Sequence, residues 1–265
     1  MASAIPVGGE TMSVSRVFSR TAAVITDNPL TVFGIAFVFG ALPSLVTSWF
    51  QQSLRAGVTD RYAELGVASI TVFSGIVGLV FLGLVQGALV SATLAFTEQR
   101  RASFGECAAI GLRFALPLVG LTVLLGLAVF VGLVFLIVPG VLLFVMWAVA
   151  SPVLVAERTG VFGAFSRSQE LTRGARRKVF GIELVIFVVL WAVSAVLAVA
   201  LFGSIETGGA RAIAQHGLPF GWLVLNAVLG TIFNALWSTV QTSLYVELRN
   251  WKGGDSVEAL QDIFA

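Results

Sequence analysis

Residues 114–156 read FALPLVGLTVLLGLAVFVGLVFLIVPGVLLFVMWAVASPVLVA, a run without one charged residue or histidine. A helix rises about 1.5 Å per residue, so about 20 apolar residues cross a hydrocarbon core of about 30 Å. The run is about twice that length and has to turn inside itself. Ile137-Val138-Pro139-Gly140 is the natural breaker, because proline lacks an amide donor and glycine accepts unusual dihedrals. Two spans are therefore expected, near 117–137 and 140–156.

Working outward, the same length test finds four more. A charge-free stretch starting at Asn28 holds a span near 30–50, and residues 65–97 hold a second that contains Gln86. Residues 179–202 make a fifth span with one acid, Glu183, and residues 218–246 a sixth with Asn226, Asn234 and Gln241. Composition agrees. Of 265 residues 57% are hydrophobic and 11% charged, with mean hydropathy +0.96, whereas soluble domains carry about 25% charged residues. A soluble enzyme and a disordered chain are excluded. The 16 Lys+Arg against 14 Asp+Glu leave a net +2, so the dense basic face that nucleic acid requires is missing. The single cysteine, Cys107, rules out an intramolecular disulfide. The fold class expected is an all-α integral membrane bundle of six transmembrane helices: a 1–28 amphipathic N-terminal segment, a 29–246 membrane domain and a 247–265 tail.

The basic residues orient it. Arg16, Arg20, Arg100, Arg101, Arg113, Arg158, Arg167, Arg173, Arg176, Arg177, Lys178, Arg249 and Lys252 fall on one side of such a bundle, and only Arg55, Arg61 and Arg211 on the other. The positive-inside rule puts the first group, and both termini, in the cytoplasm. Residues 1–28 lack the apolar core of a secretory signal, so the first span reads as an uncleaved anchor.

Short identities recur along the chain. Phe18-Ser19-Arg20 returns as Phe165-Ser166-Arg167, and Val32-Phe33-Gly34-Ile35 as Val179-Phe180-Gly181-Ile182, at one common offset. A fainter copy pairs Phe18 with Phe104, Ala22-Ala23 with Ala108-Ala109 and Gly34 with Gly120. One reading is a threefold internal repeat, each copy an interfacial amphipathic helix followed by two spans; the other is chance matching in a biased composition. The repeat predicts interfacial helices near 13–26, 102–113 and 161–174, with Phe162 and Phe165 toward lipid. The alternative is solvated loops that carry topology charges.

The fourth span and the loop after it contain Pro139-Gly140, Pro152-Val153-Leu154-Val155-Ala156-Glu157, Gly160, Ala164-Phe165-Ser166-Arg167-Ser168, Leu171 and Gly174. This pattern resembles the bacterial membrane domain named after glycerophosphoryl diester phosphodiesterases and its stand-alone, YciC-like relatives. Those are six-span bundles in which a proline–acid segment precedes an Ala-x-x-Arg-Ser-x-x-Leu-x-x-Gly helix, here Pro152, Glu157, Ala164, Arg167, Ser168, Leu171 and Gly174. In that family catalysis belongs to an appended soluble domain. About 19 residues follow the last span here, so the resemblance implies no hydrolase activity. It implies a role in envelope or lipid homeostasis, or in passage of small solutes.

Several residues carry chemistry beside a plainer alternative. A charge in mid-membrane costs at least about 2.5 kcal/mol, so Glu183 is either a ligand- or proton-handling group or the partner of Arg176, Arg177, Lys178 or Arg113. Gln86, Asn226, Asn234 and Gln241 either pair across helices or line a polar cavity. Gly75, Gly78, Gly83 and Gly87 read as close-packing positions. Glu157, Arg167 and Glu170, with Arg20, form either an anionic headgroup site or a structural tie between the fourth span and its following helix. His216 stands alone and makes no metal site. The catalytic and nucleotide-binding motifs are missing, so neither an enzyme nor a cofactor is expected. Leu260, Ile263 and Phe264 suit a short amphipathic tail helix, or an end that frays. The leading expectation is a non-enzymatic bacterial inner-membrane protein that binds or organises lipids, anionic ones first. The alternatives are a small-solute transporter or channel, and a scaffold for a protein partner or for further copies of itself.

Overall fold

The computed structural model describes residues 12–56, 61–100, 102–202 and 220–264, and every regular element among them is helical. In chain order the helices are α1 (Val14–Asp27), α2 (Pro29–Ile35), α3 (Leu42–Ala56), α4 (Arg61–Thr97), α5 (Phe104–Phe135), α6 (Ile137–Met146), α7 (Ala150–Glu157), α8 (Gly160–Thr172), α9 (Arg176–Phe202) and α10 (Phe220–Phe264). A π-helical stretch, Ala36–Ala41, joins α2 to α3. Six segments are long and apolar enough to cross a membrane: Pro29–Leu54, Leu65–Thr97, Phe104–Phe135, Ile137–Glu157, Arg176–Leu197 and Phe220–Gly253. Arg101, Arg211 and His216 lie outside the described residues.

Prolines explain most of the irregularities inside these segments. Pro43 has no N–H to give the carbonyl of Phe39, four residues back, and its ring crowds that oxygen. The backbone widens there into the π-helical stretch. Pro152 acts the same way on Ala148, and the fourth span breaks into α6 and α7 across Trp147–Val149. Serving the break, Ser168 Oγ and Thr172 Oγ1 on α8 both donate to the Met146 carbonyl, at 2.9 and 3.3 Å. Ser168 of the family-like motif is thus a helix-end cap. Gly174 follows the end of α8 with φ +90, and a Cβ there would stand 3.2 Å from Trp251 Cη2. Its place in the motif has a backbone cause.

Four expectations are corrected. The turn between the third and fourth spans is not at Pro139-Gly140. It is the single extended residue Leu136 (φ −161, ψ 136), and Pro139 sits in the first turn of α6, where a missing N–H costs nothing. Gly140 instead lets the hairpin close: a Cβ on Gly132 would lie 2.8 Å from the Gly140 Cα. The segment 102–113 is not a separate helix, since α5 runs unbroken from Phe104 past Pro117 to Phe135. Phe165 does not face lipid but packs on Trp147, ring centroids 4.7 Å apart; Phe162 alone of the pair is exposed. The tail, for its part, continues α10 to Phe264 rather than starting a new helix.

Helix α10 is the hub. It packs against α1, α4, α7, α8, α9 and the π-helical stretch, and its residues 238–248 are buried on every face. One apolar cluster joins it to α5, α7, α8 and α9 through Leu118, Val153, Leu171, Ile182 and Leu244. A second, with Val32, Ile35, Val85, Leu89 and Cys107, fills the space among α2, α4 and α5. Helices α4 and α5 meet closely where Gly83, Gly87 and Gly111 face the opposing backbone; a Cβ on Gly111 would stand 2.5 Å from the Leu84 carbonyl oxygen. These contacts lie in the half of the bundle that carries the arginines, called the basic end below.

Candidate functional site

At the basic end two buried or half-buried carboxylates collect arginines on opposite sides of α10. Glu247, almost fully buried, accepts from the Ser13 backbone N–H at 3.1 Å and from Arg16 Nε at 2.9 Å. Arg20 Nη2 lies 3.8 Å from its other oxygen, and Arg20 Nη1 donates to the Ser243 carbonyl at 3.2 Å. Lys178 Nζ donates to the Met12 carbonyl at 2.7 Å, so both ends of the segment leading into α1 are held. Burial drags the Arg20 guanidinium below its ordinary pKa, with Glu247 opposing.

Across α10, Glu157 accepts from Arg167 Nε at 3.1 Å and from the Tyr245 hydroxyl at 3.1 Å. Arg167 Nη1 reaches Glu170 at 3.2 Å. Burial works against the charge on Arg167, but Glu170 and Glu157 outweigh it and the pKa is raised. This is the tie between α7 and α8. The four candidates Arg20, Glu157, Arg167 and Glu170 are not one site. Tyr245 is two residues from both Ser243 and Glu247, and 100° per residue puts it about 200° around the helix from each. Arg20 and Arg167 are therefore kept apart by α10 itself.

Arg20 opens instead onto a cavity of about 790 Å³, lined by Arg20, Asp27, Asn28, Phe96, Thr97, Gln99, Arg100, Val246 and Asn250. The C-terminal end of α1, that of α4, and one face of α10 build it. Helix α4 ends in a Schellman turn: Arg100 N donates to the Ala95 carbonyl and Gln99 N to that of Phe96, both at 2.9 Å. Gln99 takes the left-handed conformation there (φ 56), a place usually left to glycine. Arg100, at the turn, is ion-paired to Glu106. A smaller recess adjoins the cavity toward the bundle; it shares Asn28, Phe96 and Arg100 and adds Val24, Val32 and Ala92. Asp27, Gln99 and Asn250 were not singled out from sequence, and Arg100 only as a topology charge, although each sits near the edge of a charge-free stretch, where chain meets interface.

Deeper in, Gln86 Nε2 donates to Gln241 Oε1 at 3.1 Å, a bond between α4 and α10 of the cross-helix kind. Among the described residues Asn226 and Asn234 make no cross-helix bond; each donates to a carbonyl one turn back, Trp222 and Gly230. Glu183 is buried, enters no ion pair among the described residues, and its Oε1 finds no hydrogen-bond partner. The expected pairing with Arg176, Arg177 or Lys178 fails on helical spacing. Those residues lie five to seven positions back, whereas side chains meet at three or four, where Val179 and Phe180 stand. Ser238, Thr239 and Ser243 hydroxyls on α10 are likewise buried without partners. These three were missed in the sequence, since Ser and Thr in a helix normally bond back to their own backbone. Among the described residues no group of three or more His, Cys, Asp or Glu is placed to hold a metal ion.

Residues 11–248 match the model of a family described as a domain of unknown function (DUF7847), and the chain belongs to that family. No curated protein and no solved structure matches it.

Proposed function

We propose that this member of the family is a non-enzymatic, multi-pass protein of the bacterial inner membrane that binds and organises phospholipids, with its basic end and both chain ends in the cytoplasm. The cavity beside Arg20 carries the reading. It lies where three membrane-length segments reach their arginine-bearing ends, which is the level of the headgroups, and it presents two guanidiniums suited to phosphate. Its volume is within the usual range for ligand sites, about 300–1,000 Å³. In this reading α1 and α8 lie along the interface: Val17 and Val24 of α1 are buried while Ser15 and Ser19 are exposed, and Phe162 of α8 enters the lipid. The family-like motif supports fold more than activity, because Pro152, Ser168 and Gly174 each have a structural task.

The test is mass-spectrometric identification of phospholipid retained by the gently solubilised protein. One lipid class enriched over the bulk membrane is expected, lost in Arg20→Ala and kept in Arg167→Ala, whose guanidinium is already committed to two carboxylates. Retention of bulk lipid alone by the unaltered protein would sink the reading.

Passage of a small solute is the second reading, and unpartnered Glu183 favours it. A carboxyl buried without a partner has a cost that only use would maintain. Vesicles containing the protein should then pass protons or small polar solutes faster than empty ones, and Glu183→Gln should stop it. Equal fluxes in the two kinds of vesicle would dismiss solute passage.

A further inference from the structure

The cavity beside Arg20 carries both signs of charge, and their arrangement says more about its ligand than the arginines alone. Arg100 is paired to Glu106, and Arg20 lies 3.8 Å from Glu247. A ligand with two negative charges would meet guanidiniums that already face carboxylates. Asp27, by contrast, is exposed at the cavity wall and has no hydrogen bond or ion pair among the described residues. It is also the last residue of α1, and acids are disfavoured at a helix C-terminus, where the carbonyl ends already carry partial negative charge. Helix α4 ends at the same cavity, at Thr97. Two helix C-termini and one free carboxylate thus make a cation-attracting pole a short way from the guanidiniums. Amide oxygens of Asn28, Gln99 and Asn250 supply further acceptors.

Resting on the phospholipid reading above, we propose that this cavity selects a zwitterionic aminophospholipid headgroup, its phosphodiester on Arg20 and Arg100 and its primary ammonium on Asp27. An ammonium brings three N–H donors for the carboxylate and the amide oxygens. A quaternary ammonium brings none, so the same acceptors would be desolvated without compensation. A headgroup bearing only the phosphate charge leaves Asp27 unanswered. The small recess that adjoins the cavity at Phe96 mixes Val24, Val32 and Ala92 with Asn28 and Thr31, a lining suited to the glycerol-ester region next to the headgroup.

The experiment uses the full chain in a mild detergent, with native mass spectrometry of bound short-chain phosphatidylethanolamine, phosphatidylcholine, phosphatidylglycerol and diacylglycerol of identical acyl length. Occupancy by phosphatidylethanolamine at least about fivefold above the other two phospholipids is expected. Asp27→Asn should bring it down to the phosphatidylcholine level without changing phosphatidylcholine itself, and Asp27→Glu should restore part of the preference. Glu170→Gln, in the other carboxylate cluster, should leave it intact, and thermal unfolding of each variant separates lost selectivity from lost fold. Equal binding of ethanolamine and choline lipids, a preference for phosphatidylglycerol, or a preference that survives Asp27→Asn would each overturn the proposal while phospholipid binding stands. If none of the three phospholipids exceeds diacylglycerol, the phospholipid reading and this proposal fall together.

Discussion

The two halves of α4 differ as if they belonged to different proteins. Toward its start Leu65, Val72, Phe73 and Ile76 are all more than half exposed, and Gly66, Gly75 and Gly78 have nothing within 4 Å of where a side chain would begin. Toward its end Leu84, Val85, Ala88, Leu89 and Val90 are buried, and Gly83 and Gly87 press against α5. Helix α9 repeats the contrast, with Val179 and Ile182 buried and Trp191, Val196 and Val199 exposed. These two helices are packed at the basic end and exposed at the other, where α5 and α6 still meet closely at Gly132 and Gly140. Small residues alone do not make helices approach in lipid; they permit it where something else holds the helices together. Here that is the two apolar clusters together with a ring of ion pairs and hydrogen bonds about α10.

The comparison can be broken most severely at a glycine. Gly111→Val places a side chain 2.5 Å from the Leu84 carbonyl and should cost about 3 kcal/mol, seen as a large fall in unfolding temperature in detergent. Gly78→Val, in the exposed half, should shift stability by less than about 0.5 kcal/mol. Equal effects would show that the two halves are packed alike.

The ring itself is the next target. Glu247→Ala strips the Ser13 amide and Arg16 Nε of this acceptor, and should lose about 2 kcal/mol and open the start of α1 to protease. Glu157→Ala, at a carboxylate six times more exposed (24% against 4%), should lose less, since solvent screens that pair. The order of the two, read from unfolding in urea or heat, says which clamp secures the basic end. A small effect of the opposite sign belongs to Gln99→Gly. Relief of the left-handed conformation should raise stability by about 0.5 kcal/mol, after the extra freedom glycine has in the unfolded chain is subtracted.

What could be read from sequence followed what lipid punishes. Charge in hydrocarbon is costly, so gaps between charges gave the six segments and most of their edges. A boundary with no polar marker was not legible: Leu136 breaks the helix amid Phe135, Ile137 and Val138, all of one chemical kind, while the adjacent Pro139 drew the eye. For the opposite reason the charged start of α5 looked like a separate piece, although Glu106 and Arg113 simply ride the same helix out of the apolar zone. The Arg167 cluster was legible because Glu157 and Glu170 both lie within ten residues of Arg167. The cavity was not, because Arg20, Arg100 and Asn250 come from three distant stretches that only α10 brings together.

The hairpin at Leu136 bears on how the protein enters a membrane. Phe135, Leu136, Ile137 and Val138 are all exposed at its tip, and neither hydrophilic linker nor polar side chain divides the two helices there. A biosynthetic machine that threads helices singly needs a water-soluble connector to hand across before the next one arrives. This pair offers none, which suits α5 and α6 to entry as a hairpin, side by side, rather than one after the other.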